Sequence, residues 1–169
     1  EVIIVITALL VLLVDLTFTR HKETGVRTGV AGVIACAGCL GAMIWLALMP
    51  QQAKSAMFSM TPITQLVKEV MLGLTIFTSL ISFNARFTKH VGEYFALLLL
   101  ASTGLLLLVS SSNLLMIFVA LELLSISLYA MVAFNKSSIA SSEAALKYFL
   151  FGAMAAAFTV YGISLIYGI

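Results

Sequence analysis

Six apolar runs divide the sequence, at roughly residues 2 to 19, 26 to 49, 63 to 84, 92 to 110, 112 to 134 and 142 to 167. Each has the length that a hydrocarbon core about 30 Å thick demands of an α-helix, about 20 residues. Lipid offers no partner to backbone N–H and C=O groups, so open sheet edges are excluded and helices satisfy the backbone within each span. The expected fold is all-α, a polytopic membrane bundle of six transmembrane helices. Composition agrees: 62% of residues are hydrophobic, 9% are charged and the mean hydropathy is +1.16, far from a soluble domain.

The five connections are short and polar, from RHKETGVR after the first run to NKSSIASSE after the fifth. No extramembrane domain is expected, and any catalytic site must lie among the helices or on other chains. The organisation divides into residues 1–91, holding the first three spans, and 92–169, holding the last three. No cleavable signal peptide is expected, because the opening run EVIIVITALLVLLVDLTF is too long for one and has no basic stretch before it. The chain starts without Met and stops as an apolar run ends, so it is expected to be cut at both ends.

A formal net charge of +2 is too small to suggest nucleic-acid binding. Its distribution is more telling. Connections after the first, third and fifth runs carry Arg20, Lys22, Arg27, Arg86, Lys89 and Lys136, whereas the other side has only Lys54 and Lys68. The positive-inside rule places the first group in the cytoplasm, with the N-terminus and the end of the sixth span outside.

One residue of LLMIFVALELLSISLYAMVAF, the fifth run, is out of keeping with the rest: Glu122 falls near its middle. An acidic side chain at the centre of a span costs roughly 2.5 to 3.5 kcal/mol on insertion scales, and such residues commonly mark ion or proton pathways. Glu122, Ser125 and Tyr129 follow i, i+3 and i+7 spacing and share one stripe. Hydroxyls so placed can order water beside a carboxylate and pass protons in short steps. The alternative is that Ser125 and Ser127 bond to carbonyls one turn back while Tyr129 sits near the interface.

The sixth run opens SSEAALKYFLFGA, with Glu143 and Lys147 at i and i+4, the favourable order for a salt pair. Lys147 can snorkel to the cytoplasmic interface, or face the fifth helix and exchange charge with Glu122 through water. Asp15 is expected to pair with Arg20 or Arg27, and Glu69 with its neighbour Lys68. His21 and His90, in connections, receive no role. Cys36 and Cys39 form C-A-G-C inside an apolar run and share a face with Gly32, Ala35 and Ala42, which points to close helix packing. No dinucleotide, Walker or Cys/His metal pattern is present, so nucleotide, flavin, iron-sulfur and zinc sites have no support in the sequence.

The segments GEYFALLLLASTGLLLLVSSSNLLMIFVALELLSISLYAMVAF and SSEAALKYFLFGAMAAAFTVYGISLIYG closely resemble the subunit N family of bacterial NADH:quinone oxidoreductase, respiratory complex I. The resemblance is strong from Gly92 to Gly168 and loose before. Leu121 before Glu122 and LSISLY after it look like N, where the related L and M subunits tend to carry an aromatic residue before the carboxylate. The resemblance implies an antiporter-like fold of about fourteen helices with two inverted repeats, the first starting within residues 92–169. Glu122 matches the family's fifth-helix glutamate and Lys147 its sixth-helix lysine, the two proton-translocating positions implied here. The lysines of later helices and the second repeat are not in this chain.

It further implies a proton-translocating membrane-arm subunit without a redox centre, in the bacterial inner membrane, with NADH, flavin, iron-sulfur clusters and quinone handled by other subunits. Its implied partners are other membrane-arm subunits and the lipid bilayer, with no nucleic acid. Two other functions remain open on the residues: a subunit of a cation/proton antiporter using the same glutamate, and a structural membrane scaffold.

Overall fold

The computed structural model describes residues 1–19, 24–48, 58–83, 90–135 and 138–168. Six helices follow in order: α1 (Val2–Val14), α2 (Thr24–Leu48), α3 (Pro62–Ser82), α4 (Val91–Ser110), α5 (Leu114–Val132) and α6 (Ile139–Tyr167). α1 continues through a π-helical turn, Asp15–Thr19. Helices α2 to α6 are long and apolar enough to cross a membrane, and Val2–Phe18 is a shorter apolar rod. Of the basic residues used above for orientation, Arg20, Lys22, Lys54, Arg86, Lys89 and Lys136 lie outside the described residues.

Local chemistry sets the starts. The Thr61 hydroxyl accepts from the Thr64 N–H and Pro62 occupies the first turn of α3, where its missing N–H costs nothing. Asn113 caps α5 through the Leu115 N–H at 2.9 Å. Ser138 caps α6 through Ser141, so α6 begins at Ile139, ahead of the apolar run near residue 142, because the cap rather than hydropathy decides where a helix starts.

α4 is the hub. It packs on α1, α2, α3 and α5, and twelve of its residues are buried, Phe95 and Leu99 completely. Among the described residues, α6 packs on α5 alone and buries none of its own residues. Lipid supplies no hydrophobic drive between spans, so their association rests on close van der Waals packing of small residues. α2 follows this rule with a buried stripe of Thr28, Ala31, Gly32, Ala35, Cys39 and Ala42. Cys39 lies on the stripe, Cys36 is half-buried beside it, and both thiols are free.

Two ion pairs fix α1 along the bundle. At one end Arg27 makes a bidentate contact with Asp15, at 2.9 Å from Nε and 2.6 Å from Nη2, and the Gly92 N–H at the start of α4 donates to the same carboxylate at 3.2 Å. At the other end the Glu1 carboxylate accepts from Lys68 Nζ at 2.5 Å and from the Ser110 hydroxyl at 3.4 Å. Asp15 thus takes Arg27 as partner; Arg20 lies outside the described residues. The expected pairing of Glu69 with Lys68 is not formed: Glu69 accepts from Gln65 at 3.1 Å. Consecutive helical residues diverge by about 100°, and only Lys68 points into the bundle, where it is 3% exposed.

Replacing Asp15 by Ala leaves the half-buried Arg27 guanidinium without its counter-charge, a loss of about 1–3 kcal/mol. Purified Asp15→Ala protein should therefore show a lower thermal midpoint and a lower yield than Asp15→Glu, which keeps the pair.

Candidate functional site

Glu122 is carried at the ninth of the nineteen positions of α5, the middle of that span. At about 100° per residue it stands about 160° around the helix from Ala120 and about 140° from Ser127. Those two residues are the buried ones of α5, and the chain contact they serve is α4. Glu122 therefore points away from α4. It is half-buried, and no hydrogen bond or ion pair reaches it among the described residues. The other described acidic residues all have partners: Glu1 with Lys68, Asp15 with Arg27, Glu69 with Gln65, Glu93 with His90 and Glu143 with Lys147.

The turn bearing Glu122 sits hard against α4. A methyl group built on Gly104 lies 2.9 Å from the Leu124 amide nitrogen and 3.0 Å from the Ala120 carbonyl oxygen. These atoms are the donor and acceptor that close the helical turn containing Glu122. Gly104 was not singled out by the sequence, although a small residue in an apolar span is the signal for a close helix contact.

Of the stripe proposed as a proton route, Ser125 is half-buried and makes no side-chain hydrogen bond among the described residues. Ser127, on the opposite face, bonds back to the Leu123 carbonyl at 2.8 Å. Tyr129 meets α6: its ring stands edge-on to Tyr148 at 4.8 Å and to Phe149 at 5.8 Å. Its hydroxyl occupies the space where a Cβ of residue 152 would be, so any larger residue there has to displace the Tyr129 ring.

Lys147 does not meet Glu122. It donates to Glu143 at 2.5 Å, and both side chains are about two-thirds exposed, at 66% and 60%. The helices α5 and α6 run antiparallel, tied by Ser141 to the Val132 carbonyl at 2.6 Å, Tyr129 on Gly152, and Tyr167 to Asn113 at 3.2 Å. That register sets Lys147 level with the last turns of α5, about 12–16 Å along the axis from Glu122. Helical side chains lean towards the N-terminus, which carries the ammonium further away. Of the two placements expected for Lys147, the structure has the surface pair. Among the described residues no group of three His, Cys, Asp or Glu side chains could hold a metal ion.

The family model described as "NADH:quinone oxidoreductase/Mrp antiporter, TM" matches residues 111–169, which contain Glu122, Ser125, Tyr129 and Lys147. The NADH-quinone oxidoreductase subunit N 2 of Acidobacterium capsulatum is 42% identical over 179 residues, covering 100% of this chain and 36% of the relative. Subunit N of Laribacter hongkongensis is 35% identical, covering 99% of this chain and 35% of the relative. The chain thus spans about a third of the length of the curated relatives it matches. Respiratory complex I from Thermus thermophilus with bound aureothin contains a chain that superimposes with a TM-score of 0.73 and 30% identity, over 99% of this chain and 36% of that one. A chain of the membrane-bound sulfane sulfur reductase, an archaeal respiratory membrane complex, gives 0.75 at 20% identity, a likeness of fold.

The contact of Tyr129 with Gly152 sets the spacing of α5 and α6. Asn113→Cys and Tyr167→Cys, whose native side chains meet across α5 and α6, should be bridged by a short bis-maleimide, and adding Gly152→Ala should slow that bridging by forcing the helices apart, read on a gel as a fall in the cross-linked fraction.

Proposed function

The chain belongs to the NADH-quinone oxidoreductase subunit N family, the antiporter-like membrane subunits of complex I, and from that membership we propose that it forms part of a proton-translocating membrane-arm subunit. The observation that carries this reading is Glu122: a carboxylate at mid-span, alone among the described acidic residues in having no partner there. An approaching ammonium favours an ionised carboxylate, and its retreat favours the protonated form. A group of this kind can therefore take up and release a proton as a cation approaches and retreats. Residues 92–169 form the start of the first inverted repeat, and the cation comes from the remainder of the longer polypeptide or from a neighbouring subunit, since Lys147 is too far along the axis.

Ser125 and Tyr129 lead from Glu122 towards the end of α5 that meets the start of α6. Lys147 lies at that level and gathers protons at the cytoplasmic surface, its charge balanced by Glu143 until a proton is passed inward. The redox groups, NADH, flavin, iron-sulfur clusters and quinone, belong to other subunits. Coupling reaches this chain through conformational and electrostatic change in neighbouring membrane-arm subunits. The subunit resides in the bacterial inner membrane. A cation/proton antiporter module is the second reading, favoured by the matching family model, whose description spans both classes; the relatives named subunit N favour the first.

The full-length gene, expressed with its complex in inverted membrane vesicles, tests the reading. Glu122→Gln should abolish or strongly reduce proton uptake per NADH oxidised, with assembly on native gels unchanged. Tyr129→Phe and Lys147→Ala should each lower it severalfold. Wild-type uptake in Glu122→Gln would remove Glu122 from the path, and loss of the assembled complex would favour a scaffold role.

A further inference from the structure

We infer that Gly104 of α4 is a positioning residue for Glu122, setting the depth and facing of its carboxylate by direct contact with the backbone of the turn that carries it. The inference rests on the reading of Glu122 as the proton-carrying group.

The contact is between backbones, not between compliant side chains. A methyl on residue 104 meets the Leu124 nitrogen at 2.9 Å, the Ala120 oxygen at 3.0 Å and the Leu124 Cβ at 3.1 Å. Ordinary contact is about 3.5–4.0 Å, so the two helices must separate by about half an ångström to admit it. Side-chain rotation cannot absorb that change, because two of the three atoms belong to the main chain. Glu122 lies midway between Ala120 and Leu124, so a displacement of those residues is a displacement of its Cα. Its side chain projects from the far side of the helix, and any tilt of α5 about the contact is carried directly to the carboxylate.

α4 resists displacement because both its ends are tied. Its first turn is held through the Gly92 N–H to Asp15, which Arg27 grips from α2. Its last turn is held through Ser110 to Glu1, which Lys68 grips from α3. Between them, Phe95 and Leu99 are completely enclosed. α5, by contrast, buries only Ala120 and Ser127 within the chain. A misfit at Gly104 is therefore relieved by movement of α5, the helix with Glu122, rather than of α4.

The test uses the full-length gene in the assembled complex in native membranes. Two quantities are read per assembled complex: the rate at which the apolar reagent dicyclohexylcarbodiimide modifies Glu122, followed by mass spectrometry of its peptide, and the protons moved per quinone reduced. Gly104→Ala should change the labelling rate at least about threefold and lower the proton ratio, with quinone reduction within about twofold of wild type. Ala120→Gly, which loosens the turn of α5 at the same contact, should also alter labelling. Gly73→Ala, where the added methyl meets nothing within 4 Å, should leave both quantities unchanged. Wild-type labelling and ratio in Gly104→Ala overturn the inference, as does reduced assembly with unchanged values per complex. If Gly104→Ala does not assemble, wild-type values in Ala120→Gly overturn it. Should Glu122→Gln retain full pumping, the functional reading fails, while the labelling rates still decide whether Gly104 positions Glu122.

Discussion

A carboxylate held in the middle of an apolar span is the constraint around which the bundle is arranged. Hydrocarbon gives no solvation to such a group and no hydrophobic drive to the helices that must hold it. The chain meets both difficulties through α4. This helix is enclosed by α1, α2 and α3 and presents Gly104 to the turn that bears Glu122. Close backbone approach replaces the hydrophobic effect as the source of order, and the face of α5 opposite α4 is left for the carboxyl group.

The other charges are arranged differently. Asp15 with Arg27 and Glu1 with Lys68 are paired at the two ends of α4, where they tie three helices together at each end. Glu143 and Lys147 neutralise one another on the exposed face of α6. Pairs at the ends stabilise or orient, while Glu122, among the described residues, stands alone at the centre. On the proposed reading, a carboxylate whose attraction is already satisfied in the resting bundle is a poor carrier, and one whose partner must come from outside responds to whatever brings that partner near. This separates Glu122 from the other five described acidic residues and gives its isolation a mechanistic sense.

Much of the architecture was legible in the sequence because lipid reduces the choice of structure to helices, and apolar run length then gives their number. Glu122 stood out in the sequence for the same reason: an acid among leucines is costly unless it is paired, protonated or used. Asp15 with Arg27 followed from proximity along the chain. The pairing of Lys68 with Glu1 did not, since the partners are 67 positions apart and the sequence neighbour Glu69 was the obvious competitor. Gly104 and Gly152 marked close contacts only in the general way that small residues in apolar spans do, since nothing in one chain's sequence says which helix will approach them. The distance between Lys147 and Glu122 was likewise hidden, since it depends on the antiparallel register of α5 and α6, which Tyr129 on Gly152 fixes through tertiary contact.

The most direct test of the central claim is infrared difference spectroscopy on the assembled complex, comparing the resting and NADH-energised states and assigning the carboxyl C=O stretch that disappears in Glu122→Gln. A band that changes intensity between the two states, reporting proton gain or loss at Glu122 during turnover, is the expected result. A Glu122 band identical in both states, in membranes that pump at the wild-type rate, would contradict the claim.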